Sequence, residues 1–396
     1  MTAHKKARPD RAPAIAPTPW RERLRHFEKR QDEMAATIRQ LVEIESPSDN
    51  KPAADRFAQI LCAKFEALSG RTHFHRNSRF GDHVRVDFPA GAGEPVLLLG
   101  HYDTVYPLGI MATMPCRVEN GLLYGPGAFD MKSGIALMLH AIAGLQAWHG
   151  GLPRPVKVLL VSDEEVGSQS SRAITEDLAR ECAAVLVLEP AAGLRGAVKT
   201  SRKGVGQYTL KVHGASAHAG LDPTKGHSAI VELAQQVVII SQWTDFRRGL
   251  SLNVGVIQGG TRSNVIAAEA SALIDVRIQS AKQAAGVDRR LRSLKPFDKR
   301  CGLEISGGIN RMPMERTAGV AALYETARSI ASQIDWRLEE AAVGGGSDGN
   351  FTAALGIPTL DGMGGVGAGA HAIHEHIVIS ELPRRALLLA GMMENS

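Results

Sequence analysis

Four short apolar runs between residues 84 and 188 constrain the fold of this chain more than any other feature of its sequence. They read VRVDF, PVLLLG, VKVLLV and AAVLVL, and each of the last three is followed by a polar or glycine-rich segment and then by a helical pattern. Short runs that are apolar throughout are typical of strands buried on both faces, and their alternation with helices is typical of α/β proteins. We therefore predict an α/β domain with a mixed, mostly parallel sheet flanked by helices.

Residues 203–308 show a different pattern, in which apolar and polar residues alternate along the strands. The predicted order is strand, helix, two strands, helix, strand, which indicates a small ferredoxin-like α+β domain with one exposed sheet face. We expect this domain to be inserted into the larger one. The larger domain then covers residues 24–202 and 309–396, after a basic N-terminal arm over residues 1–23.

The excess positive charge is concentrated at the N-terminus. The 396 residues carry a formal net charge of +5, and residues 1–32 alone hold nine Lys/Arg against four Asp/Glu. A basic terminal segment is usually a solvated tail, so we expect no nucleic-acid partner. We see no apolar stretch of about 18 residues and expect no membrane span. Four widely separated cysteines predict free thiols in a cytoplasmic protein.

The run PVLLLG leads into the first segment that points to chemistry, GHYDTVYP. His101 and Asp103 are two residues apart at a strand end, so they project to the same side. An imidazole that binds a metal commonly has a carboxylate holding its other nitrogen, and this pair has the residue types for that arrangement. A loop histidine that makes one hydrogen bond is the alternative, and the segment alone leaves both open.

Three later segments place carboxylates in comparable positions. Asp130 follows the irregular segment GPGAF, where it is suited either to cap the next helix or to bridge two cations. Asp163, Glu164 and Glu165 follow the run VKVLLV, where adjacent acids repel one another unless cations or shared protons relieve them. A solvated acidic loop is the alternative there. Glu189 follows the run AAVLVL.

All four segments are predicted to reach the edge at which open α/β sheets bind ligands, so their coincidence favours one shared site. A glycine-rich segment near the C-terminus adds His371, His374 and His376. A set of carboxylates and imidazoles without thiolates suits zinc, with cobalt or manganese as substitutes. Three carboxylates beside two divalent ions leave a charge that one hydroxide neutralises, as in two-metal hydrolases.

The ordered motifs GHYDTVYP, GPGAFDMKSG, SDEEVGS, LEP and GAH extend over about 270 residues, and ASAHAG and DVRI lie in the inserted domain. Together they resemble the family of di-zinc peptidases and amidohydrolases that includes glutamate carboxypeptidase, aminoacylase and succinyl-diaminopimelate desuccinylase. The order of segments is most similar to the glutamate carboxypeptidase branch. The resemblance implies a catalytic larger domain that binds two Zn²⁺ ions and an inserted domain that serves as lid and dimerisation domain.

The resemblance also assigns metal ligands residue by residue. One zinc ion is expected at His101 and Glu189, and the other at Glu165 and His371. Asp130 is expected to bridge both ions. A cis peptide bond is implied directly after this aspartate, between residues 130 and 131.

The same resemblance implies roles in catalysis for two further acids. Glu164 is expected to act as general base, taking a proton from the attacking water and passing it to the leaving amine. Asp103 is expected to orient the imidazole of His101.

Substrate contacts are implied mainly for the inserted domain. His218 of ASAHAG is expected to stabilise the oxyanion in the partner subunit's site, which implies a homodimer joined through the lid domains. Asn264 and Arg277 are expected to hold the free carboxylate of the substrate, since a planar guanidinium pairs with a carboxylate through two hydrogen bonds. Gly346 and Ser347 of GGGSDG are expected to present backbone and hydroxyl donors to the substrate.

The chain departs from the family pattern at two places. His374 and His376 are additional histidines, and His376 stands where relatives commonly have tyrosine, so His371 is our choice of ligand. Glutamate-preferring relatives use a lid lysine that has no clear counterpart here. The nearby cationic residues are Lys199, Arg202 and Lys203.

These expectations favour a metal-dependent hydrolase that cleaves an amide bond adjacent to a free-carboxylate amino acid, as a carboxypeptidase similar to glutamate carboxypeptidase. The expected substrate is a peptide or an N-acyl amino acid with a free carboxylate. An N-acyl-amino-acid deacylase is the alternative within the class. A non-catalytic binding module is a remote alternative, because such a module is expected to have lost Glu164 or a metal ligand.

Overall fold

The computed structural model describes residues 19–90 and 93–396, so residues 1–18 of the predicted arm lie outside the described residues. Within the described residues the helices are α1 (Trp20–Glu28), α2 (Gln31–Val42), α3 (Lys51–Glu66), α4 (Ser133–His149), α5 (Arg172–Arg180), α6 (Ala229–Ser241), α7 (Ala281–Arg292), α8 (Ala318–Ser332), α9 (Gly349–Ala354) and α10 (Leu382–Asn395). The strands are β1 (Arg71–His75), β2 (His83–Phe88), β3 (Val96–His101), β4 (Arg117–Glu119), β5 (Leu122–Tyr124), β6 (Val156–Val161), β7 (Ala184–Val187), β8 (Val198–Arg202), β9 (Gly204–His213), β10 (Ser251–Gly259), β11 (Glu269–Ile278), β12 (Gly302–Arg311), β13 (Glu340–Val343), β14 (Thr359–Leu360), β15 (Gly367–Ala368) and β16 (His376–Val378).

In the described part of the chain, the larger domain is built on a six-stranded sheet with the order β1-β2-β6-β3-β7-β14. The pairs β6–β3, β3–β7 and β7–β14 are parallel, and the pairs β1–β2 and β2–β6 are antiparallel. On β3, Leu98 packs in the core that contains α4 and α10, and Leu97 and Leu99 pack on the other face with α5. Because helices cover both faces, the central strands β3 and β7 are buried at every position, whereas the edge strand β1 is partly exposed. The predicted mixed, mostly parallel sheet is confirmed.

A long apolar helical segment lies inside this domain. Ala128–His149, which comprises α4 and the turn before it, is long and apolar enough to cross a membrane by length and composition alone. However, 83% of its 18-residue window is buried inside the protein, where α4 packs against α10. The expectation that no apolar segment reaches this length is therefore corrected. The segment is a core helix that is apolar on all sides because it is covered on all sides.

The inserted domain contains a four-stranded antiparallel sheet, β10-β11-β9-β12, within the described residues. Helices α6 and α7 cover one face of this sheet. Tyr208 of β9 is buried under the helices, and Lys211 of the same strand is exposed on the other face. This difference explains the alternating pattern in the sequence. The sheet begins at Gly204 and ends at Arg311, close to the predicted range 203–308.

The packed structure begins earlier than predicted. Helix α1 starts at Trp20, inside the segment assigned to a solvated arm. The buried guanidinium of Arg23 donates to Glu394 of α10 at 2.5 Å and stacks on Trp20 and Trp148 at 4.9 and 4.8 Å from the ring centroids. The assignment of residues 20–23 to an arm is therefore wrong. Basic composition does not reveal that a carboxylate and two aromatic rings bury one of the arginines.

The carboxyl ends of β3, β6 and β7 lie side by side at one edge of the main sheet. His101 ends β3, Glu164 and Glu165 lie in a short 3₁₀ turn after β6, and Glu189 follows β7. The smaller sheet β15-β16-β5-β4 pairs the C-terminal strand β16 with β5, just before the loop that carries Asp130. Distant stretches of the chain therefore meet at this edge.

Candidate metal centre

Two imidazoles and three carboxylates converge at this edge of the sheet. Nε2 of His101 lies 3.2 Å from Oδ1 of Asp130 and 3.5 Å from Oε1 of Glu189. Nε2 of His371 lies 3.4 Å from Oδ2 of Asp130 and 3.2 Å from Oε2 of Glu165. The two oxygens of one aspartate thus face two different imidazoles, and each imidazole has one further carboxylate.

These separations fit a pair of bound cations. Ligand atoms that lie about 2.0–2.2 Å from a tetrahedral zinc ion are about 3.3–3.6 Å apart, and the nitrogen–oxygen distances in the two groups are 3.2–3.5 Å. The donor set contains imidazole and carboxylate but no thiolate, which suits zinc, cobalt or manganese. The residues present therefore fit a dinuclear metal site in which Asp130 is shared.

The electrostatics of the cluster demand positive charge. Burial lowers the pKa of His101, but the facing carboxylates, with Asp103 foremost, outweigh burial and raise that pKa well above its usual value. Asp130 and Glu165 raise the pKa of His371 to about 10. The carboxylates around both imidazoles therefore favour positive charge at this position. Divalent cations that displace protons from these imidazoles would supply more positive charge to the same carboxylates.

Asp103 connects two parts of the site. Nδ1 of His101 donates to the main-chain oxygen of Asp103 at 3.0 Å and lies 3.4 Å from its Oδ1, so the expected contact between these residues is present. The buried carboxylate of Asp103 also accepts hydrogen bonds from the main-chain N–H groups of Glu164 (3.3 Å) and Glu165 (3.2 Å). The hydroxyl of Ser48 donates to it at 2.7 Å. Sequence reasoning missed Ser48, which lies in a segment without a motif.

Asp130 lies in an irregular turn rather than at a helix cap. Asp130 and Met131 have non-helical backbone angles within the turn Ala128–Lys132, and α4 begins only after this turn. The peptide bond between Asp130 and Met131 is cis, as the resemblance implied. The carboxylate faces His101 and His371 instead of the amides of the helix. Of the two sequence alternatives for Asp130, this geometry supports the shared metal ligand.

The expected general base lies beside an arginine that the sequence did not single out. Oε1 of Glu164 accepts a hydrogen bond from Nη2 of Arg311 at 2.9 Å. The same nitrogen donates to Oδ1 of Asp348 at 2.9 Å and to the hydroxyl of Ser168 at 2.7 Å. Burial raises the pKa of Glu164 well above its usual value, and Arg311 opposes the rise. Arg311 therefore supplies the counter-charge for two buried acids.

Sequence reasoning missed Arg311 because it lies outside every recognised motif. It is the last residue of β12, where the chain returns to the larger domain, and it pairs in register with Val205 of β9. The only signal is the need of Glu164 and Asp348 for a cation. That need becomes visible only when the fold shows both acids to be buried.

The three substrate residues predicted on the lid do not reach the metal-facing groups. The guanidinium of Arg277 pairs with Asp275 through Nε (2.9 Å) and Nη2 (3.0 Å). His218 and Asn264 lie next to each other in exposed loops, where the main-chain oxygen of Asn264 accepts from Ala219 at 3.0 Å. Across residues 19–90 and 93–396, no hydrogen bond or ion pair joins His218, Asn264 or Arg277 to the metal-facing residues.

The segment GGGSDG forms hydrogen bonds with buried residues of the protein. The hydroxyl of Ser347 donates to Oδ2 of Asp361 at 2.6 Å. The main-chain oxygen of Gly346 accepts from Arg202 at 3.2 Å, and Arg202 also pairs with Asp361 and, at 3.3 Å, with Oε2 of Glu189. The prediction that the hydroxyl of Ser347 faces the substrate is therefore corrected, because it belongs to a buried network behind Glu189. Arg202 connects this network to Glu189, an expected metal ligand.

Among the C-terminal histidines of the described chain, His371 is the one that faces the carboxylates. Nδ1 of His376 lies 2.8 Å from the main-chain oxygen of His374, and its ring packs on Tyr124 with the centroids 5.1 Å apart. His371 has a φ of 62°, a left-handed conformation that residues other than glycine rarely adopt. Such strain concentrates at functional sites. The geometry therefore agrees with the choice of His371.

Comparison with known proteins extends the sequence resemblance. Residues 97–395 match the model of peptidase family M20/M25/M40. Carboxypeptidase G2 of Pseudomonas sp. (strain RS-16) is 28% identical over 376 residues, which cover 93% of this chain and 91% of that protein. A succinyl-diaminopimelate desuccinylase of Methylococcus capsulatus is 28% identical over 335 residues, which cover 80% of this chain and 87% of that protein.

Solved structures share the fold. Aminopeptidase PepT from Bacillus cereus has a TM-score of 0.77 at 20% identity, with coverage of 92% of this chain and 98% of that one. The YXEP protein of Bacillus subtilis, described as a dinuclear metal binding peptidase from the M20 family, has a TM-score of 0.69 at 13% identity, with coverage of 93% and 98%. At these identities the likeness establishes the fold alone.

Proposed function

This chain belongs to peptidase family M20/M25/M40 and is a metal-dependent hydrolase, and we propose that it is a carboxypeptidase that cleaves an amide bond next to a free-carboxylate amino acid. The observation that carries the proposal is the position of Asp130, whose two oxygens face His101 and His371 separately. The similarity to carboxypeptidase G2 supports the substrate class.

The proposed cofactor is a pair of Zn²⁺ ions, with Co²⁺ or Mn²⁺ as substitutes. His101 and Glu189 would hold one ion, Glu165 and His371 would hold the other, and Asp130 would contact both. When bound, the cations supply positive charge that lowers the pKa of a water molecule and polarises the substrate carbonyl.

Glu164 is proposed as the proton carrier. Its side chain is only 13% exposed, and its carboxylate lies within 4.8 Å of ligand atoms of His101 and Glu189. It takes a proton from the attacking water while the new carbon–oxygen bond forms. It then delivers this proton to the amide nitrogen while the carbon–nitrogen bond breaks, so the products are a carboxylate and an amine. The 2.9 Å contact from Arg311 fixes the orientation of Glu164.

Recognition of the free carboxylate is proposed for Arg277 and Asn264 of the lid. Arg277 already binds the carboxylate of Asp275 through two N–H groups, so its guanidinium is oriented for such a partner. One third of its side chain is exposed (33%), which leaves room for a competing substrate carboxylate. Strands β11 and β12 place Arg277 and Arg311 opposite Val205, at the end of the lid that adjoins the larger domain.

An N-acyl-amino-acid deacylase is the second candidate, because the desuccinylase similarity covers most of this chain. Both candidates use the same metal chemistry and differ in the acyl group that they accept. A substrate panel separates them: dipeptides and folate-like acyl-glutamates against N-acetyl and N-succinyl amino acids, at equal enzyme and metal concentrations. The carboxypeptidase proposal expects the highest kcat/KM for the first group, and the reverse order would establish the deacylase.

The free carboxylate is tested with a methyl ester of the best substrate. Because the ester cannot form the charged pair with Arg277, its kcat/KM is expected to fall by about tenfold to a hundredfold. Equal rates for the acid and its ester would contradict recognition of the carboxylate. The metal chemistry would be unaffected by that result, since chelation tests it separately.

We also propose that the chain forms a homodimer through the lid. Helix α6 exposes Ile230, Val231 and Val238, and the edge strand β10 exposes Val256 and Ile257. Pairing of two β10 edges would satisfy their free N–H and C=O groups and cover these apolar side chains. Light scattering is expected to give twice the chain mass of 42.4 kDa. A fully active monomer would contradict the dimer.

A further inference from the structure

Glu375 is a buried carboxylate near the C-terminal histidines, and hydrogen-bond donors surround both of its oxygens. Oε1 accepts from the main-chain N–H groups of Phe129 and Asp130, both at 2.8 Å. Oε2 accepts from the main-chain N–H of Gly127 at 3.0 Å and from the hydroxyl of Tyr106 at 2.7 Å. Four donors therefore converge on one side chain.

The three main-chain donors lie at the start of the irregular turn before α4. Amides at the beginning of a helical segment have no acceptor from a preceding turn, and α4 itself has no side-chain cap. Gly127 has a φ of 72°, a left-handed conformation suited to glycine. Negative charge at this end of a helix is also favoured by the helix dipole. Glu375 thus caps the turn from 245 residues away in the sequence.

The same contacts join three of the segments that carry metal-facing residues, those of His101, Asp130 and His371. Tyr106 follows the end of β3, five residues after His101, and its hydroxyl also lies 3.1 Å from the main-chain oxygen of Ala372. Asp130 lies in the capped turn, and Glu375 itself follows His371 by four residues. The carboxylate of Glu375 therefore connects the turn of Asp130 with the loop after His101 and the loop after His371.

We propose that Glu375 is a positioning residue that holds Asp130 between His101 and His371 and thereby sets the affinity of the two-metal site, most strongly on the His371 side. The inference rests on the proposed dinuclear function. The His371 side depends more on Glu375, because Asp130 and the loop of His371 are both tied to it. His101 is held independently at a strand end by Asp103.

Glu375→Gln tests the role of the four hydrogen bonds that Glu375 accepts, because the two side chains have nearly the same volume. A carboxylate accepts all four hydrogen bonds, whereas an amide offers one oxygen and one NH₂ donor. The substitution therefore places a donor against donors of the turn or against Tyr106. Residues that orient metal ligands from behind commonly change metal affinity or activity by about 10–100-fold, and we expect the second cation to bind more weakly by that factor.

The measurement is a cobalt titration of the metal-free full-length chain. Two Co²⁺ ions per chain are expected for the wild type, followed by visible absorption and by elemental analysis after gel filtration. Glu375→Gln is expected to retain one tightly bound ion and to lose affinity for the second. At limiting metal kcat falls and KM is unchanged, and excess Co²⁺ restores part of kcat. Hydrogen–deuterium exchange of residues 125–132 in the metal-free protein should be faster in the variant.

Glu232→Gln is the matched control. Glu232 is also buried, and its two oxygens accept from the main-chain N–H groups of Phe297 at 3.1 Å and Asp298 at 3.0 Å, within the lid. This substitution should lower thermal stability but leave the cobalt titration unchanged. Tyr106→Phe removes one of the four donors and should weaken the second ion by less than Glu375→Gln does.

The outcomes separate the two levels of inference. Binding of fewer than two cobalt ions by the wild-type chain would contradict the proposed dinuclear function itself. A wild-type chain with two ions and a Glu375→Gln variant with the same second affinity would overturn only the role of Glu375. If Glu375→Gln does not fold, Glu375→Asp, which keeps the charge but shortens its reach, takes its place with the same expected and opposing results.

Discussion

The larger domain and the lid differ in how completely each assembles its expected functional residues. In the larger domain, His101 and His371 are 270 positions apart, yet both lie within 3.5 Å of the same aspartate. On the lid, Arg277 pairs with its neighbour Asp275, and His218 is exposed. The expected metal ligands therefore meet in the described structure, whereas the expected substrate residues of the lid do not reach them.

The physical basis of this difference is packing. Helices cover both faces of the main sheet, and the site residues are held by buried hydrogen bonds such as those of Asp103 and Glu375. The lid sheet is covered by helices on one face only, and its functional side chains lie on loops or on the open face. Loops with few buried contacts move more readily than a packed core.

Metal removal is expected to have the largest effect and tests the larger domain alone. Extended dialysis against a chelator should reduce hydrolysis to background, because the carboxylates and imidazoles of the centre act through the cations. Addition of Zn²⁺ or Co²⁺ should restore the rate, and circular dichroism should show that the chain remains folded throughout. Full activity in protein that elemental analysis shows to be metal-free would contradict the site.

Glu164→Gln is expected to lower kcat by about 10²–10⁴-fold, because the amide cannot accept the proton of the attacking water. Since Glu164 is not an expected ligand, the metal content should remain that of the wild type. Parallel kinetics and elemental analysis provide the measurement. Loss of one cation together with the activity would instead make Glu164 a ligand.

His218→Ala is expected to lower kcat by about 10²–10³-fold if the imidazole donates to the oxyanion. Its action across the dimer is tested by mixing this variant with Glu164→Gln after subunit exchange. In the hybrid dimer, the His218→Ala subunit keeps Glu164 and the Glu164→Gln subunit keeps His218. One of the two sites therefore has both residues intact, so part of the activity should return. No recovery in a mixture shown to exchange subunits would place His218 in the site of its own chain.

Arg277→Lys is expected to have the smallest effect, a fall in kcat/KM of about tenfold to a hundredfold, mainly through KM, because lysine cannot form the two-pronged pair. Arg292→Lys is the matched control, since Arg292 is also on the lid and binds Asp288 through its Nε at 3.0 Å. The control should leave KM unchanged. Equal changes in the two variants would indicate a general effect on the lid and not a substrate contact.

Much of the fold was predictable because its signals are local. The apolar runs from residue 84 to 188 read as buried strands without knowledge of their partners, and the alternation in residues 203–308 read as a sheet with one open face. The segment of α4 was misjudged, because a helix covered on all sides has the same composition as one that spans a membrane. Trp20 and Arg23 were misjudged because their partners lie on α4 and α10.

The metal-facing residues were also predictable, because each follows a strand end or a glycine-rich loop in a recognisable motif. Their supporting residues were not. Ser48 and Arg311 lie outside the motifs, and Glu375 was overlooked between His374 and His376, yet each acts on a residue 55 to 245 positions away. Ser347 was predicted to contact the substrate because it lies in a glycine-rich segment, but its hydroxyl donates a hydrogen bond to Asp361.

By itself, the amino-acid sequence determined the two-domain α/β architecture and the acids and histidines that meet at the sheet edge. The reason is that hydrophobic periodicity and motifs are local properties of each segment. Only the tertiary structure decided which groups hold them: Arg311 on Glu164, Ser48 on Asp103 and Glu375 on the turn of Asp130. A buried donor or acceptor must find a partner, but residue type alone does not say which distant group folding will bring to it.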